Sequence, residues 1–545
     1  MPLRIDDYAM IGDCRAAALV GRDGSIDWLC LPRFDSGACF AALLGAPEHG
    51  RWLLAPRVGG LASRRRYRAD SLVLEQEFDA DGGTVRVTDF MTRMDDTPHL
   101  VRRVDGLAGV VPMRMELVIR FDYGSLVPWV QRIGDSGISA IAGPDRVLVF
   151  GAVPMHGENL TTVAEFSIAR GETKWFTLSW HLSYTPAPAP PDPERALAQV
   201  DRDWHDWAAS CRYGGPFRDV VVRSLITLKA LTDAPTGGIV AAPTTSLPEQ
   251  LGGVRNWDYR YCWLRDATAT LYSLVNAGFV EEARAWRNWL RRAVAGSPSS
   301  TQIMYGVAGE RRLSEYEIDW LPGYEGARPV RIGNAAHDQF QLDVYGEVLD
   351  AMYQAGRMGL DEVARDWRLE GSLVRYLETV WDRADNGIWE VRGPRQHFVH
   401  SKVMAWVALD RAIKAAERFH LDFPVERWRR LRAAVHAEIC ARGFDRRKNA
   451  FVQAYGSDRL DAAVLMIPLV GFLPPEDPRV RGTVAAIERE LMPDGLVLRY
   501  DTRATPDGLP PGESAFLPCS FWFADNLILQ GRHDEARALF EWLLR

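Results

Sequence analysis

The stretch that divides this sequence is Thr185-Pro186-Ala187-Pro188-Ala189-Pro190-Pro191-Asp192-Pro193. Proline lacks the N–H that a sheet ladder needs, and its ring clashes with the preceding turn inside a helix. We therefore predict a stiff linker, followed by a helix over residues 194–210. This predicts three units: a β-sandwich domain (1–185), the linker with its helix (186–215) and a helical domain (216–545).

Short runs of β-forming residues lie on the N-terminal side of this linker. Asp23-Gly24 separates the run 15–21 from the run 25–30, and such a pair between two strands is typical of a β-hairpin. The other predicted strands are 71–78, 84–91, 147–150 and 174–184. Many short strands with turns between them predict an antiparallel β-sandwich.

From Pro216 onward, apolar residues recur at the spacing of helices. Eleven helical segments are predicted, near 216–232, 265–277, 279–295, 335–356, 361–383, 399–418, 424–441, 457–469, 478–491, 515–530 and 533–545. The loops 296–334 and 492–514 are long. Long ordered loops on a helical scaffold are where binding residues are often found.

The composition argues against several classes of protein. Hydrophobic residues make up 47% and charged residues 25% of the 545-residue chain, which is typical of two or three globular domains. The net charge is −7 and basic runs such as Arg64-Arg65-Arg66 are no longer than three residues, so nucleic-acid binding is not expected. No apolar run reaches the ~18 residues of a membrane span, and no secretory signal opens the sequence. Seven scattered cysteines without a CxxC pair fit a reducing, cytoplasmic location.

The segment with the densest functional signal is Asn256-Trp257-Asp258-Tyr259-Arg260-Tyr261-Cys262-Trp263-Leu264-Arg265-Asp266. Aromatic residues occupy every second position, and an extended segment would place them on one face. Aromatic rings bind the CH faces of a sugar, while aspartate and arginine bind its hydroxyl groups. A core strand with an exposed charged face is the alternative interpretation.

Two further loops combine polar and aromatic residues, at 319–334 and 386–390. Glu390 follows Trp389 at the end of an Asn386-Gly387 turn. A carboxyl group against an indole in a dry pocket has a raised pKa, which suits a general acid for glycosidic cleavage. The alternative is a solvated loop glutamate. The sequence contains no HExxH, P-loop or strand-linked GxGxxG motif, so zinc hydrolysis, nucleotide binding and hydride transfer have no support.

Six segments in family order resemble glycoside hydrolase family 15, the glucoamylase and bacterial trehalase family. They are Tyr8-Ala9-Met10-Ile11-Gly12-Asp13, residues 22–30, Trp263-Leu264-Arg265-Asp266, residues 323–334, Gly387-Ile388-Trp389-Glu390 and residues 516–522. The resemblance implies a β-sandwich followed by an (α/α)6 barrel. It also implies exo-acting hydrolysis of α-glucosidic bonds with inversion, on a saccharide substrate and without a metal or other cofactor.

The resemblance further implies roles for individual residues. Glu390 would be the general acid. Arg265 and Asp266 would hold hydroxyl groups of the non-reducing glucose, although an aspartate there also favours a helix start. The other implied substrate-binding residues are Tyr259, Trp263, Trp320, Arg328, Arg331, Trp389 and Arg499, the last on the leaving-group side.

The C-terminal part departs from the family pattern. An inverting hydrolase needs a second carboxylate that activates water, about 6.5–9.5 Å from the acid. Neither the family segment with this base nor the last barrel helix is found before Arg545, so we expect a barrel that lacks its last helix. Glu513 is the internal candidate for a substitute base. The exposed apolar faces of an unclosed barrel would lower stability or favour a homo-oligomer.

Three functions fit these observations. The leading hypothesis is an inverting exo-α-glucosidase of the trehalase or glucoamylase type that releases β-D-glucose. The alternatives are a truncated saccharide-binding protein without turnover and a phosphorylase on the same architecture. Trehalose is the preferred substrate, because it is a cytosolic solute whereas starch is mostly met outside the cell. The sequence leaves maltose-type and isomaltose substrates, and the oligomeric state, open.

Overall fold

The computed structural model of this chain describes residues 2–94, 97–186, 188–358, 363–505 and 507–545. Ala187, within the predicted linker, lies outside the described residues. The N-terminal sheet domain contains strands β1 (Tyr8–Gly12), β2 (Ala17–Gly21), β3 (Ser25–Cys30), β4 (Ala38–Phe40), β5 (Arg51–Pro56), β6 (Arg64–Tyr67), β7 (Leu74–Ala80), β8 (Gly83–Met94), β9 (Thr97–Val118), β10 (Trp129–Ile133), β11 (Gly137–Ala142), β12 (Asp145–Gly151), β13 (His156–Glu158), β14 (Thr161–Ala169) and β15 (Thr173–Leu182).

The strands form two antiparallel layers that share one long strand, β9. The first half of β9 pairs with β8 and β15, and its second half pairs with β5 and β14. Gly109 lies where β9 passes from one layer to the other and has a φ of 63°, a conformation that favours glycine. Apolar side chains that include Trp52, Phe78 and Phe176 form the core of this domain. The predicted antiparallel β-sandwich is confirmed.

The predicted hairpins also form. β2 pairs with β3, β7 pairs with β8, and the predicted strands β12 and β15 pair with each other. The strands that the sequence does not predict are β1, β4, β5, β6, β9, β10, β11, β13 and β14. In β10 every residue is exposed, so no alternation of apolar and polar residues marks it as a strand.

Twelve α-helices lie in the described residues: α1 (Pro193–Ala209), α2 (Arg218–Ala230), α3 (Leu264–Asn276), α4 (Val280–Ala293), α5 (Asp343–Arg357), α6 (Val363–Leu377), α7 (Val399–Phe419), α8 (Val425–Arg442), α9 (Met466–Leu469), α10 (Pro478–Glu490), α11 (Leu517–Leu529) and α12 (His533–Leu543). Short strands in the loops are β16 (Thr245–Pro248), β17 (Asn256–Asp258), β18 (Cys262–Trp263), β19 (Met304–Tyr305), β20 (Tyr316–Ile318), β21 (Val330–Ile332), β22 (Phe444–Asp445) and β23 (Ala450–Phe451). Helix α1 is the predicted linker helix, and its Trp204 packs in a cluster with Val73 and Phe90 of the sheet domain.

Helices α2 to α12 correspond to the eleven predicted segments, and the largest differences in length are in α5, α6 and α9; α6 ends at Leu377 and not at residue 383. Helix α5 begins at Asp343 because residues 335–338 form a separate 3-10 turn, in which Ala336 N donates to Asn334 Oδ1 at 3.0 Å. The segment 457–469 gives only the short α9, because Asp461 caps a 3-10 turn over Ala462–Leu465. Residues 361–362 of another predicted segment lie outside the described residues.

Helix α7 lies in the interior of the helical domain. Its residues are buried without a break from Val399 to Ile413, and it packs against α5, α6 and α8. A helix that is buried on all sides is an inner element of its domain. Among the helices described here, none is long and apolar enough to span a membrane.

Direct contacts join the two domains. Trp28 Nε1 donates to Pro243 O at 2.8 Å, and Arg260 Nη1 donates to Ser36 O at 2.8 Å. Ala17 and Phe34 of the sheet domain belong to the core of the helical domain. These contacts place the segment before α3 against the sandwich. The boundaries at 185 and 215 stay a prediction.

Candidate active site

A cavity of about 260 Å³ opens among the loops that precede α3, α5, α7 and α11. Its polar and aromatic lining consists of Glu249, Arg255, Trp257, Tyr259, Arg265, Asp266, Asn334, Trp389, Glu390, Arg392, Arg499, Tyr500, Asp507 and Phe516. Such a mixture of rings, carboxylates and guanidinium groups suits a ligand with many hydroxyl groups and CH faces.

A tight turn holds Glu390 in this cavity. Its N–H donates to Gly387 O at 3.0 Å, and its φ of 58° is uncommon for a residue other than glycine. A Cβ atom at Gly387 would lie 2.7 Å from Phe398, so the turn requires glycine there. Backbone conformations of this kind persist where the surrounding structure enforces them, and they are frequent in active sites.

The Glu390 carboxyl group is largely buried and has two described partners. Trp263 Nε1 donates to its Oε1 at 2.6 Å, and Arg265 Nη2 lies 3.6 Å from the same oxygen. Burial raises the pKa of Glu390, while the Arg265 charge and the Trp263 hydrogen bond act in the opposite direction. The indole that donates to the acid is thus Trp263 and not the adjacent Trp389. A raised pKa is what a general acid requires.

Arg265 and Asp266 lie in the first turn of α3 and both line the cavity. Arg265 Nη2 is 3.1 Å from Asp266 Oδ2, and Arg265 Nη1 donates to Ile388 O at 2.6 Å. The two side chains keep exposed fractions of 28% and 37%, so they can contact a ligand. The pair therefore places a fixed donor, Arg265, and an acceptor, Asp266, next to Glu390. Asp266 also has the favourable position of an acid in the first turn of a helix.

Trp389 forms the wall beside Glu390. Its Nε1 donates to Asp461 Oδ1 at 2.8 Å, which fixes the ring plane. The ring packs edge-on against Phe516 at 5.9 Å and stacks with Trp522 at 6.2 Å between centroids. This aromatic group gives the cavity a rigid apolar face.

Arg499 and Glu513 occupy different positions relative to the cavity. The Arg499 guanidinium lies 5.4 Å from the Trp389 ring centroid and lines the cavity. Arg499 Nε donates to Glu513 Oε1, and Glu513 Oε2 lies 3.8 Å from Arg255 Nη1. Burial raises the pKa of Glu513, and the Arg499 charge acts against that shift. The structure does not bring Glu513 into the cavity lining, which favours a role in holding Arg499.

The alternating segment before α3 is divided between the site and the core. Trp257 and Tyr259 line the cavity, whereas Tyr261 packs in a buried cluster with Trp263. The core-strand interpretation expected the charged residues between these rings to lie on an exposed face. They are buried instead. Asp258 and Arg260 are both 0% exposed and form an ion pair at 2.7 Å.

Four predicted binding residues lie outside the cavity lining: Trp263, Trp320, Arg328 and Arg331. Trp320 Nε1 donates to Tyr123 O at 3.0 Å, so this side chain is bound to the sheet domain, and 41% of it is exposed. Arg331 Nη1 donates to Val254 O at 2.9 Å and supports the loop before β17. The Arg328 side chain is exposed. Of these four residues, Trp263 contacts Glu390 directly.

Several lining residues were not among the sequence predictions. Trp257 belongs to the alternating segment, and its alternation with Tyr259 could have identified it. Arg392 follows Glu390 by two residues, and its guanidinium lies 4.2 Å from the Trp257 ring centroid. Arg255 and Asp507 form a buried ion pair at 2.7 Å. The two residues are 252 positions apart in the sequence, so no local sequence pattern could reveal the pair.

The chain is similar in sequence to known proteins. The family model for glycosyl hydrolases family 15 matches residues 215–544, and the trehalase-like N-terminal model matches residues 1–151. The trehalase of Mycolicibacterium smegmatis is 37% identical over 575 aligned residues, covering 99% of this chain and 85% of that protein. The trehalase of Thermoplasma volcanium is 32% identical, covering 99% of this chain and 87% of that protein.

The fold of the chain is also similar to that of a known structure. A bacterial glucoamylase crystallised with acarbose has a TM-score of 0.71 at 12% identity, covering 97% of this chain and 86% of that one. This likeness confirms the predicted sheet domain and (α/α)6 barrel. The family model covers more than half of the chain, and the related trehalases align with nearly all of it. The chain therefore belongs to glycosyl hydrolases family 15.

Proposed function

We propose that this chain hydrolyses the α-glucosidic bond of α,α-trehalose with inversion. The observation that carries the proposal is Glu390, a largely buried carboxyl group at the cavity wall with a raised pKa. A protonated carboxyl group in that position can donate its proton to the glycosidic oxygen as the bond breaks.

The neighbouring groups receive roles in the same reaction. Arg265 and Asp266 hold hydroxyl groups of the glucose whose bond is cleaved, because they contact or adjoin the acid and remain accessible. Tyr259 and Trp389 supply flat surfaces for the sugar, and Arg499 lies on the leaving-group side. Water attacks the anomeric carbon from the face opposite the leaving group, which requires a carboxylate base. Glu513 is assigned to Arg499 and not to this water.

Trehalose is the proposed substrate because proteins named trehalase are 30% to 38% identical to this chain along most of its length. The cavity of about 260 Å³ is close to the size of small-molecule sites, which suits a short saccharide. We place the reaction in the cytoplasm, where trehalose is a solute.

The test is glucose release from trehalose, maltose and isomaltose, with and without inorganic phosphate, followed by NMR of the first anomer formed. Inverting hydrolysis of trehalose yields one β-glucose from the attacked unit and one α-glucose from the leaving unit, without phosphate. Only α-glucose at early times would contradict inversion, and strict phosphate dependence would indicate a phosphorylase. Saccharide binding without product would indicate a binding protein.

A further inference from the structure

The cavity contains a carboxylate for which the mechanism above has no role, Glu249. It lies in the loop after β16, and it is one of the residues that line the cavity. Its backbone is fixed from both sides, since Glu249 N donates to Arg255 O at 3.1 Å and Ser514 N donates to Glu249 O at 3.1 Å. A rigid backbone gives its carboxylate a defined position.

The side chain of Glu249 has unused capacity to accept hydrogen bonds. Tyr259 Oη donates to its Oε1 at 3.4 Å, near the limit for such a bond. Its Oε2 lies 2.9 Å from Arg499 Nη2, but in the described structure this buried oxygen has no donor with hydrogen-bond geometry. Since Oε2 is buried and 13% of the side chain is exposed at the cavity, Oε1 is the oxygen left to accept a hydrogen bond from a ligand.

Glu249 belongs to a different set of polar groups from the acid. Glu390 and Asp266 both pair with Arg265, within 3.6 Å and 3.1 Å. The described ion pair of Glu249 is with Arg499, whose guanidinium lies over the rings of Trp389 and Phe516. The cavity wall thus carries a second carboxylate–arginine pair, Glu249 with Arg499, in addition to the pair of Asp266 with Arg265.

We propose that Glu249 accepts a hydroxyl hydrogen bond from the second sugar ring, and so determines which disaccharides bind. This inference rests on the proposed function only in taking a saccharide as the ligand. A hydroxyl donating to a carboxylate forms a short, strong hydrogen bond, and a site built for it discriminates against a ligand that lacks the group. Glu249 is a specificity-determining residue, and Arg499 positions it.

The experiment compares Glu249→Gln with Glu513→Gln, because both glutamates pair with Arg499 and only Glu249 lines the cavity. Both changes are made in a Glu390→Gln background, so that dissociation constants are measured by calorimetry without turnover. The two probes are trehalose, with two rings, and 1-deoxynojirimycin, a single ring for the first subsite. Glu249→Gln is expected to weaken trehalose binding about tenfold or more, with a change of about twofold or less for the single ring.

Glu513→Gln leaves the Glu249–Arg499 pair in place, so it is expected to weaken trehalose binding less than Glu249→Gln does and to leave the dissociation constant of the single ring nearly unchanged. The inference is overturned if Glu249→Gln weakens both probes equally, if both variants have the same effect, or if the background protein binds the single ring but not trehalose. Failure of the proposed function has a different signature. A chain with Glu390 that binds trehalose and releases no glucose would contradict hydrolysis, while the comparison of the two variants would still test Glu249.

Discussion

Two arginine–aspartate pairs lie within the nine residues 258–266 and differ in their surroundings. Asp258 and Arg260 are fully buried, and the Arg260 donors reach Asp258, Ser36 O and Tyr123 Oη at 2.7–2.8 Å. Arg265 and Asp266 are partly exposed to the cavity, and Arg265 also lies near Glu390. Both pairs have the same chemical groups, but only one is open to a ligand.

The difference shows that a buried pair whose hydrogen bonds are satisfied by the protein is closed to a ligand, whereas a partly exposed pair is open to one. Arg260 connects the sheet domain to the loop before α3, and Gly333 N donates to Asp258 Oδ2 at 3.1 Å. Since protein groups satisfy this pair, its loss should affect folding. Arg265 and Asp266 retain accessible atoms, so their loss should affect ligand binding and catalysis. The three predictions below test this division, from the largest expected effect to the smallest.

Asp258→Asn should destabilise the protein by about 3–5 kcal/mol, because it leaves the Arg260 charge buried without its counter-ion. Urea unfolding followed by tryptophan fluorescence measures this change. Activity per folded molecule should stay near that of the unmodified chain. A loss below about 1 kcal/mol would mean that the buried pair is not a structural link.

Asp266→Asn should have the opposite effect, with a large loss of activity and little loss of stability. We expect kcat/KM for trehalose to fall about 100-fold, equivalent to about 2.7 kcal/mol, because a hydroxyl acceptor beside the reacting bond is lost. The unfolding free energy should change by about 1 kcal/mol or less, as for exposed ion pairs. Steady-state kinetics and urea unfolding on the same preparation test both parts. A stability loss as large as that of Asp258→Asn would remove the distinction between the pairs.

Arg265→Gln should shift the alkaline limb of the pH profile to higher pH. Glu390 must be protonated to act as the acid, and the Arg265 charge lowers the pKa of that group. Removing the charge raises the pKa further, so the protonated form persists to higher pH even though kcat falls. The alkaline limb of the pH profile should stay in place in Asp258→Asn, when activity is expressed per folded molecule. A shift to lower pH in Arg265→Gln would contradict the assignment.

The sequence predicted the architecture well because its signals are local. Proline at 186–193 marked the change from strands to helices, and helical spacing located eleven helices. It did not predict β9, whose 22 residues belong to two layers at once. That arrangement depends on pairing with distant strands, and no short window of sequence contains it.

The site was predicted where its residues cluster in the sequence. Trp389, Glu390, Arg265 and Asp266 lie in two short segments, and the structure brings both segments to the cavity. Glu249, Arg255 and Asp507 lie in loops without a recognisable pattern and meet only in the folded chain. Trp320 and Arg331 have suitable side chains but pack against neighbouring loops, because residue type alone does not fix direction.

The central claim, that Glu390 is the general acid, is tested most directly by two substrates with different leaving groups. A sugar leaving group needs a proton from the acid, whereas the fluoride of α-D-glucosyl fluoride leaves without one. For Glu390→Gln we predict that kcat for trehalose falls about 100-fold to 10,000-fold, while hydrolysis of the fluoride falls much less. Equal losses for both substrates, or an unchanged rate for trehalose, would contradict this account.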